Sequence, residues 1–245
     1  MTRGRRLFVP PAQLAAERLT ITAADHRHLA RVLRVQPGDT VTLFDGAGNE
    51  MEARVTRVGR AETELLLVGA SPRSGAAREP ALVLLTAVPR GPRMDLLVEK
   101  TCELGVSRIV PVLTERSVVR PDATRRGRWE KIAREAARQC GRADVPDVEA
   151  PIALATALAA SDLPGRRLMA WEGEGGIPLR SRPDSGAPTA LLVGPEGGFT
   201  AAEVEAARHA GFDTVTLGRR ILRVETAAMV AVALVRDLQF PPPGP

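Results

Sequence analysis

Two segments near the carboxyl end hold residues whose types and order suit ligand chemistry. In the first, Leu191 to Ala207 (LLVGPEGGFTAAEVEAA), an apolar run ends in Gly194-Pro195-Glu196-Gly197-Gly198 and a helix follows. Glycines at a strand end let backbone N–H and C=O groups approach a ligand with no Cβ in the way. Thr200 with Glu203 predicts a capping box at the helix start. Loops at the carboxyl ends of parallel strands are where α/β proteins bind ligands. The pattern is not a P-loop, since no Gly-Lys-Ser/Thr follows, and it is not GxGxxG. On spacing alone it fits an ordinary tight strand–helix turn as well as a ligand loop. In the second segment, Thr214 to Val235 (TVTLGRRILRVETAAMVAVALV), a strand ends at Leu217-Gly218 and a helix begins near Glu225-Thr226. Its ILRVE stretch reads either as a loop with one structural ion pair or as a second wall of the same pocket. The helix is apolar nearly all round, which predicts burial in the domain core or in a subunit interface.

Positioning these loops requires a sheet, and the chain predicts one. Strands are expected at Leu82 to Val88, Arg108 to Leu113, Arg167 to Trp171, Thr189 to Val193 and Thr214 to Leu217, with helices between and after them. Such alternation means a largely parallel sheet covered on both faces. Met94, Leu97, Val98, Thr101 and Cys102 form one helical stripe that Gly105 ends. Trp129, Ile132, Ala133, Ala136, Ala137 and Cys140 form another, with Glu130–Arg134 and Lys131–Glu135 pairs on its outer face. The first ~70 residues differ, reading as short strands. Pro37 to Gly46 ends in an Asp-Gly turn, and Met51 to Gly59 and Glu62 to Gly69 follow. A helix over Ala24 to Leu33 is expected, capped by Thr22 with Asp25 three residues on. Together these predict a small β-barrel over residues 1–71, a linker over 72–80, an α/β domain over 81–240 and a frayed tail over 241–245.

The chain has 245 residues, 44% of them hydrophobic, a formal charge of +5 and only two lysines, Lys100 and Lys131. A base composition favouring Arg codons accounts for much of the arginine. Clustering is more informative, at Arg3/Arg5/Arg6, Arg125/Arg126/Arg128 and Arg219/Arg220/Arg223, because guanidinium groups bind phosphates bidentately. No apolar run approaches the roughly 18 residues of a membrane span, so a soluble, cytoplasmic protein is expected. Cys102 and Cys140 have no CxxC spacing and are expected as reduced core thiols. His26 and His28 lie two apart, on different helix faces, so no metal site is expected. Tyr is absent and aromatics are 3%, which argues against modules built on exposed stacking platforms.

The pairing of LLVGPEGGFT with LGRRILRVETA resembles the cofactor signature of the SPOUT methyltransferases. More narrowly it resembles the uridine-N3 methyltransferases of small-subunit ribosomal RNA. RRLFVP (Arg5 to Pro10), HLARVLRVQPGD (His28 to Asp39), EKTCELGVSRIVPVLTERS (Glu99 to Ser117) and RWEKIAREAARQCGRADVPDV (Arg128 to Val148) follow the same order and spacing. The resemblance implies a PUA-like RNA-binding barrel, then a parallel-sheet methyltransferase domain with a carboxyl-terminal trefoil knot, working as a homodimer. It implies S-adenosyl-L-methionine held by Leu192, Val193, Gly194, Pro195, Glu196, Gly197 and Gly198, with Leu217, Gly218, Ile221, Leu222, Thr226 and Ala227. The RNA partner, free or in an assembled small subunit, would meet Arg5, Arg6, Arg31 and Arg34.

Methyl transfer of this kind needs positioning more than a metal. Uracil N3 is an imide N–H, so a guanidinium near O2 or O4 would stabilise the developing anion. Arg223 is the first candidate and Arg142 the second. Glu225 would accept the proton directly or through water, anchor Arg223, or cap the last helix. Three other readings remain. One is a non-catalytic RNA-binding or ribosome-assembly protein, against which the intact glycine loop speaks. Another is a related enzyme acting on another base. The third, a nicotinamide oxidoreductase, would need a glycine fingerprint that LLTAVPRGPRMD (Leu84 to Asp95) lacks.

Overall fold

The computed structural model describes residues 5–70, 79–121, 124–173, 177–182 and 186–240. All of the expected linker but its last two residues, the expected tail, and Arg3 lie outside them. The chain divides into two compact units, one of Met1–Arg78 with Ala137–Val145, the other of Glu79–Ala136 with Pro146–Pro245.

The first unit holds β1 (Arg6–Phe8), α1 (Pro11–Leu14), β2 (Arg18–Thr22), α2 (Ala23–Arg27), β3 (Thr40–Phe44), β4 (Glu50–Val58) and β5 (Glu62–Ala70). One sheet in the order β1-β3-β4-β5-β2 leaves β1 and β2 as edges, a curled half-barrel rather than a closed barrel. Leu19 and Ile21 alternate with exposed neighbours along β2, the pattern of a strand with one face on a core. That core includes Leu7, Leu29, Val41, Leu43, Val55 and Leu65. At the β3–β4 turn, Asp45 Oδ1 accepts from Ala47 N (2.8 Å) and Asn49 N (3.1 Å), and Oδ2 from Asn49 Nδ2 (2.6 Å).

The single helix expected over Ala24 to Leu33 is instead α2 followed by a π-helical turn, His28–Val32. Leu33 N donates to His28 O at 2.9 Å and Arg34 closes the turn at φ 51°. Thr22 makes no side-chain cap; Ala23, at φ 53°, turns the chain away from that geometry. His26 is buried between Thr63 Oγ1 (2.9 Å) and Arg60 O (3.3 Å), whereas His28 Nε2 accepts from Arg138 Nη1 (2.6 Å).

Arg6 departs from its expected role. It is only 6% exposed, ion-paired with Glu50 and bonded to Arg142 O (2.8 Å), with its guanidinium 5.0 Å from the Phe44 ring centre. A buried cation held in this way supports the fold and has no face left for phosphate. Arg5, half-buried, pairs with Asp39 at 2.6 Å. Arg31 and Arg34 are exposed.

The larger unit holds β6 (Leu82–Ala87), α3 (Arg93–Glu103), β7 (Arg108–Leu113), α4 (Arg125–Cys140), β8 (Asp147–Val148), β9 (Ile152–Ala153), α5 (Leu154–Leu158), β10 (Arg166–Ala170), β11 (Ile177–Pro178), β12 (Thr189–Val193), α6 (Ala201–His209), β13 (Asp213–Thr216) and α7 (Val224–Gln239). Its sheet runs β11-β13-β10-β12-β6-β7-β8, with β9 also on β7, and every pairing is parallel. Every residue of β6 and β12 is buried, as expected for central strands covered on both faces. The short strands β8, β9 and β11 carry too few residues to show a pattern.

In α3 the stripe Met94, Leu97, Val98, Thr101 and Cys102 is buried as its spacing predicts. Gly105, at φ 96°, follows it, and Val106 N returns to Thr101 O at 3.0 Å, the left-handed helix stop that glycine makes without strain. In α4 Trp129, Ala133, Ala136 and Ala137 are buried, but Cys140 is exposed, so only Cys102 is a core thiol. The last turn of α4 and residues up to Val145 belong to the first unit, where Val145 N donates to Gly46 O at 2.9 Å. No helix of the described residues is long and apolar enough to cross a membrane.

Candidate functional site

Strand order decides where the two glycine-bearing segments meet. β10 lies between β12 and β13, and its last residue, Ala170, is level with Val193 on one side and Val215 on the other. The connections after these three strands therefore leave the same sheet edge side by side. They enclose an open cleft with about 630 Å³ of empty space.

Of the residues expected at a ligand site, Val193, Gly194, Pro195, Glu196, Gly198, Leu217, Gly218, Ile221, Leu222 and Ala227 line the cleft. Leu192, Gly197 and Thr226 do not, and Leu192 is wholly buried in the strand. Ala170, Trp171, Glu172, Phe199, Thr216, Arg220 and Val224 also line it. The first three were missed because only the strand order, set by pairings far apart in sequence, places the end of β10 between the two loops.

The glycine loop is held on several sides. Gly198, at φ 68°, turns back so that its N–H donates to Pro195 O at 2.9 Å. A Cβ on Gly194 would lie 2.6 Å from the Phe199 ring. Glu196 Oε1 accepts from Arg90 N at 3.2 Å, and Gly197 O accepts from Arg116 Nη1 at 2.9 Å. The capping box is present: Thr200 Oγ1 accepts from Glu203 N (3.3 Å) and Glu203 Oε2 accepts from Thr200 N (2.9 Å). The other Glu203 oxygen accepts from Glu115 N at 2.8 Å, tying the turn after β7 to α6. Glu203 and Arg116 thus brace the loop from behind, leaving its cleft face open.

The opposite wall is less constrained. Thr216 Oγ1 bonds the Gly218 backbone at 3.1 and 3.3 Å, after which Ile221 is 89% exposed. Arg219, Arg220 and Arg223 are exposed, and none makes a side-chain ion pair among the described residues. Arg223 is the residue before α7, in extended conformation. Glu225 is 6% exposed and faces Arg93 Nε at 3.6 Å rather than Arg223, while its Oε2 has no hydrogen-bond partner. Arg142 belongs to the first unit, where Asp144 holds it at 2.6 Å.

On one side of Trp171, Arg208 stands 5.6 Å from the ring centre. Glu172 is exposed and makes no hydrogen bond or ion pair among the described residues, its Oε1 lying 3.0 Å from where a Gly198 Cβ would be. The cleft thus combines apolar walls, an unobstructed backbone loop and a carboxylate with no partner among the described residues. Such a site suits a partly apolar ligand that carries positive charge.

Comparison with known proteins points the same way. The family model for the RNA methyltransferase domain matches residues 77–236, and that for the RNA methyltransferase PUA domain matches residues 21–65. Ribosomal RNA small subunit methyltransferase E of Synechocystis sp. is 32% identical over 95% of this chain and 77% of that protein. Its namesake in Bacillus subtilis is 31% identical over 90% of each. Among solved structures, ribosomal RNA small subunit methyltransferase E of Neisseria gonorrhoeae bound to S-adenosylmethionine is 34% identical. It covers 96% of this chain and 98% of that one, with a TM-score of 0.83. A methyltransferase from Legionella pneumophila in complex with the same cofactor is 29% identical with the same coverage and TM-score.

Proposed function

The chain belongs to the family of ribosomal RNA small subunit methyltransferases E, and on that premise we propose that it methylates N3 of one uridine in small-subunit (16S) ribosomal RNA. The observation that carries this reading is the cleft, where the two loops that the family resemblance implies as cofactor-binding meet at three level strand ends. The residues present suit S-adenosylmethionine. Gly194 and Gly198 admit the ligand against backbone, Leu217, Ile221 and Leu222 offer apolar contact, and Glu172 offers a carboxylate to a cation. When bound, this cofactor supplies an electrophilic methyl group on a positively charged sulfur.

The chain's own residues supply positioning and charge. The acceptor N3 is an imide N–H whose lone pair is free only once the proton leaves. Arg223, exposed beside the cleft and without an ionic partner among the described residues, is the guanidinium to stabilise the developing negative charge on the uracil oxygens. Glu225 keeps one buried carboxylate oxygen without a partner, which fits it to take the proton directly or through water. Arg142, held by Asp144, ranks behind Arg223. In the first unit Arg31 and Arg34, exposed on and just after the π-helical turn, are the phosphate contacts.

The same reading includes a homodimer working in the cytoplasm. One side of α7 is buried, yet Ala233 is exposed and Met229, Val230 and Leu234 are partly so. These residues, and Ile221 at 89% exposed, offer apolar surface to a second copy. It also includes passage of the carboxyl-terminal chain through a trefoil knot.

The test is methyl transfer to small ribosomal subunits that lack the modification, with nucleosides resolved by mass spectrometry. A single 3-methyluridine is expected. The Arg223→Ala variant should lose transfer while its S-adenosylmethionine affinity stays within about twofold. Label in another base would overturn the assignment of uridine N3, and near-normal turnover in the variant would remove Arg223 from the chemistry.

A further inference from the structure

A second recess opens on the same edge of the larger unit's sheet, beyond the ends of β6 and β7. Its walls are the loop before α3 (Pro89, Gly91), the stretch after β7 (Val119, Arg120) and the first turns of α4 (Arg125, Arg128), enclosing about 1000 Å³ open to solvent. The floor is apolar, formed in part by Met94 and Trp129, which are 3% and 2% exposed. The rim is basic.

Which of these charges are available follows from their partners. Arg128 is committed to Asp95, with Nε at 3.0 and 3.2 Å from its two oxygens. Arg126, outside the groove, is balanced by Glu130 at 2.7 Å and Asp147 at 3.7 Å. Arg120 and Arg125 are exposed, and neither makes an ion pair or hydrogen bond among the described residues. The first turn of α4 contains no acidic residue, although the amino end of a helix favours negative charge. Two guanidinium groups with no acidic partner among the described residues therefore line an open groove. Guanidinium binds phosphate in bidentate fashion, and the apolar floor suits the sugar or base face of a nucleotide.

We propose that this groove is a binding site for the phosphodiester backbone of the RNA substrate, with Arg120 and Arg125 as its phosphate contacts. It rests on the reading that RNA is the methyl acceptor. The groove's position suits a strand that also reaches the cofactor cleft. β7 and β12 flank β6, so the connections that wall the two recesses leave neighbouring strands on one sheet edge. Their walls are also bonded to each other, since Arg90 N, in the loop that lines the groove, donates to Glu196 of the glycine loop. An occupant of the groove touches the loop that supports the cofactor's backbone contacts.

The full-length Arg120→Ala/Arg125→Ala double variant tests this. Binding to a fluorescent transcript of small-subunit RNA is measured by anisotropy from 50 to 200 mM salt. Affinity for S-adenosylmethionine and the melting temperature are measured alongside. Losing two phosphate contacts should reduce the slope of log K against log salt by about 1.4–1.8. RNA affinity should fall about tenfold, the KM for subunits should rise, and kcat and cofactor affinity should stay unchanged. An unchanged slope and affinity, with wild type binding RNA normally, would overturn the groove as an RNA site and leave the proposed methylation standing. A parallel loss of cofactor affinity or melting temperature would assign the two arginines to the fold and overturn the proposal. Absence of RNA binding in the wild type would overturn both readings together.

Discussion

Replacing Gly194 with alanine isolates a steric role for the glycine loop. Gly194 is not among the left-handed glycines, so an alanine there adds no backbone strain and the effect belongs to its methyl group. That methyl would sit 2.6, 2.9 and 3.0 Å from three atoms of the Phe199 ring. Carbon atoms settle at about 3.5–4.0 Å, so ring or loop must move by about 1 Å. Phe199 has little freedom to move, being 7% exposed in a cluster with Leu192, Val204 and Phe212. Overpacking of this kind costs about 1–3 kcal/mol, or about 4–8 °C of melting temperature at 2 kcal/mol for a unit of this size. Gly194 and Phe199 both line the cleft, so S-adenosylmethionine affinity should weaken about tenfold or more. The control is Gly194→Ala/Phe199→Leu, whose smaller side chain removes the colliding ring atoms. Calorimetric melting and titration of the four proteins should show the double variant recovering about 1–2 kcal/mol relative to the sum of the singles. Strict additivity, or a Gly194→Ala protein that melts within 1 °C of wild type and binds cofactor normally, would refute the argument.

Two other predictions concern charge. Burial raises the Asp45 pKa, but hydrogen bonds from the Asn49 side chain and the Ala47 and Asn49 amides outweigh it and hold the carboxyl below its ordinary value. A depressed carboxylate stabilises the fold above the unfolded pKa of about 3.9 and loses that contribution as pH falls through the lower folded value. Urea titrations should therefore show Asp45→Asn costing about 1–3 kcal/mol at pH 7, with the gap to wild type closing below about pH 4. A gap that does not narrow at all as pH falls below about 4 would show that ionisation is not involved. For Glu172→Gln, affinity for the cationic S-adenosylmethionine should drop up to about fivefold, the scale of an exposed charge pair of about 1 kcal/mol. The product S-adenosylhomocysteine, which lacks the sulfonium charge, should bind as before. Equal losses for both would place Glu172 against a part of the ligand other than the sulfonium.

What could be read from the amino-acid order was whatever depends on neighbours in sequence. The stripe from Met94 to Cys102, the stop at Gly105, the Thr200–Glu203 box and the buried run before Gly194 all have a local physical cause, and all are present. What was hidden depends on distant partners. Nothing between residues 166 and 216 states that β10 pairs with both β12 and β13, so Trp171 and Glu172 gave no sign of lining the cleft. The return of Ala137–Val145 to the first unit is equally silent, because its bridge to Gly46 spans most of a hundred residues.

Charge shows why this matters for function. A cluster of arginines in a sequence counts toward RNA only after its acidic partners are subtracted, and those partners are usually remote. Glu50 removes Arg6 from the amino-terminal cluster, and Asp39 engages Arg5. Arg31 and Arg34, which lie outside it, then become the stronger phosphate candidates. The same subtraction reorders the middle cluster, since Asp95 engages Arg128 and Glu130 engages Arg126. That leaves Arg125, together with Arg120, which stood in no cluster, without an acidic partner among the described residues. The electrostatic footprint for a polyanion is therefore set by which cations lack partners, and only the fold determines that.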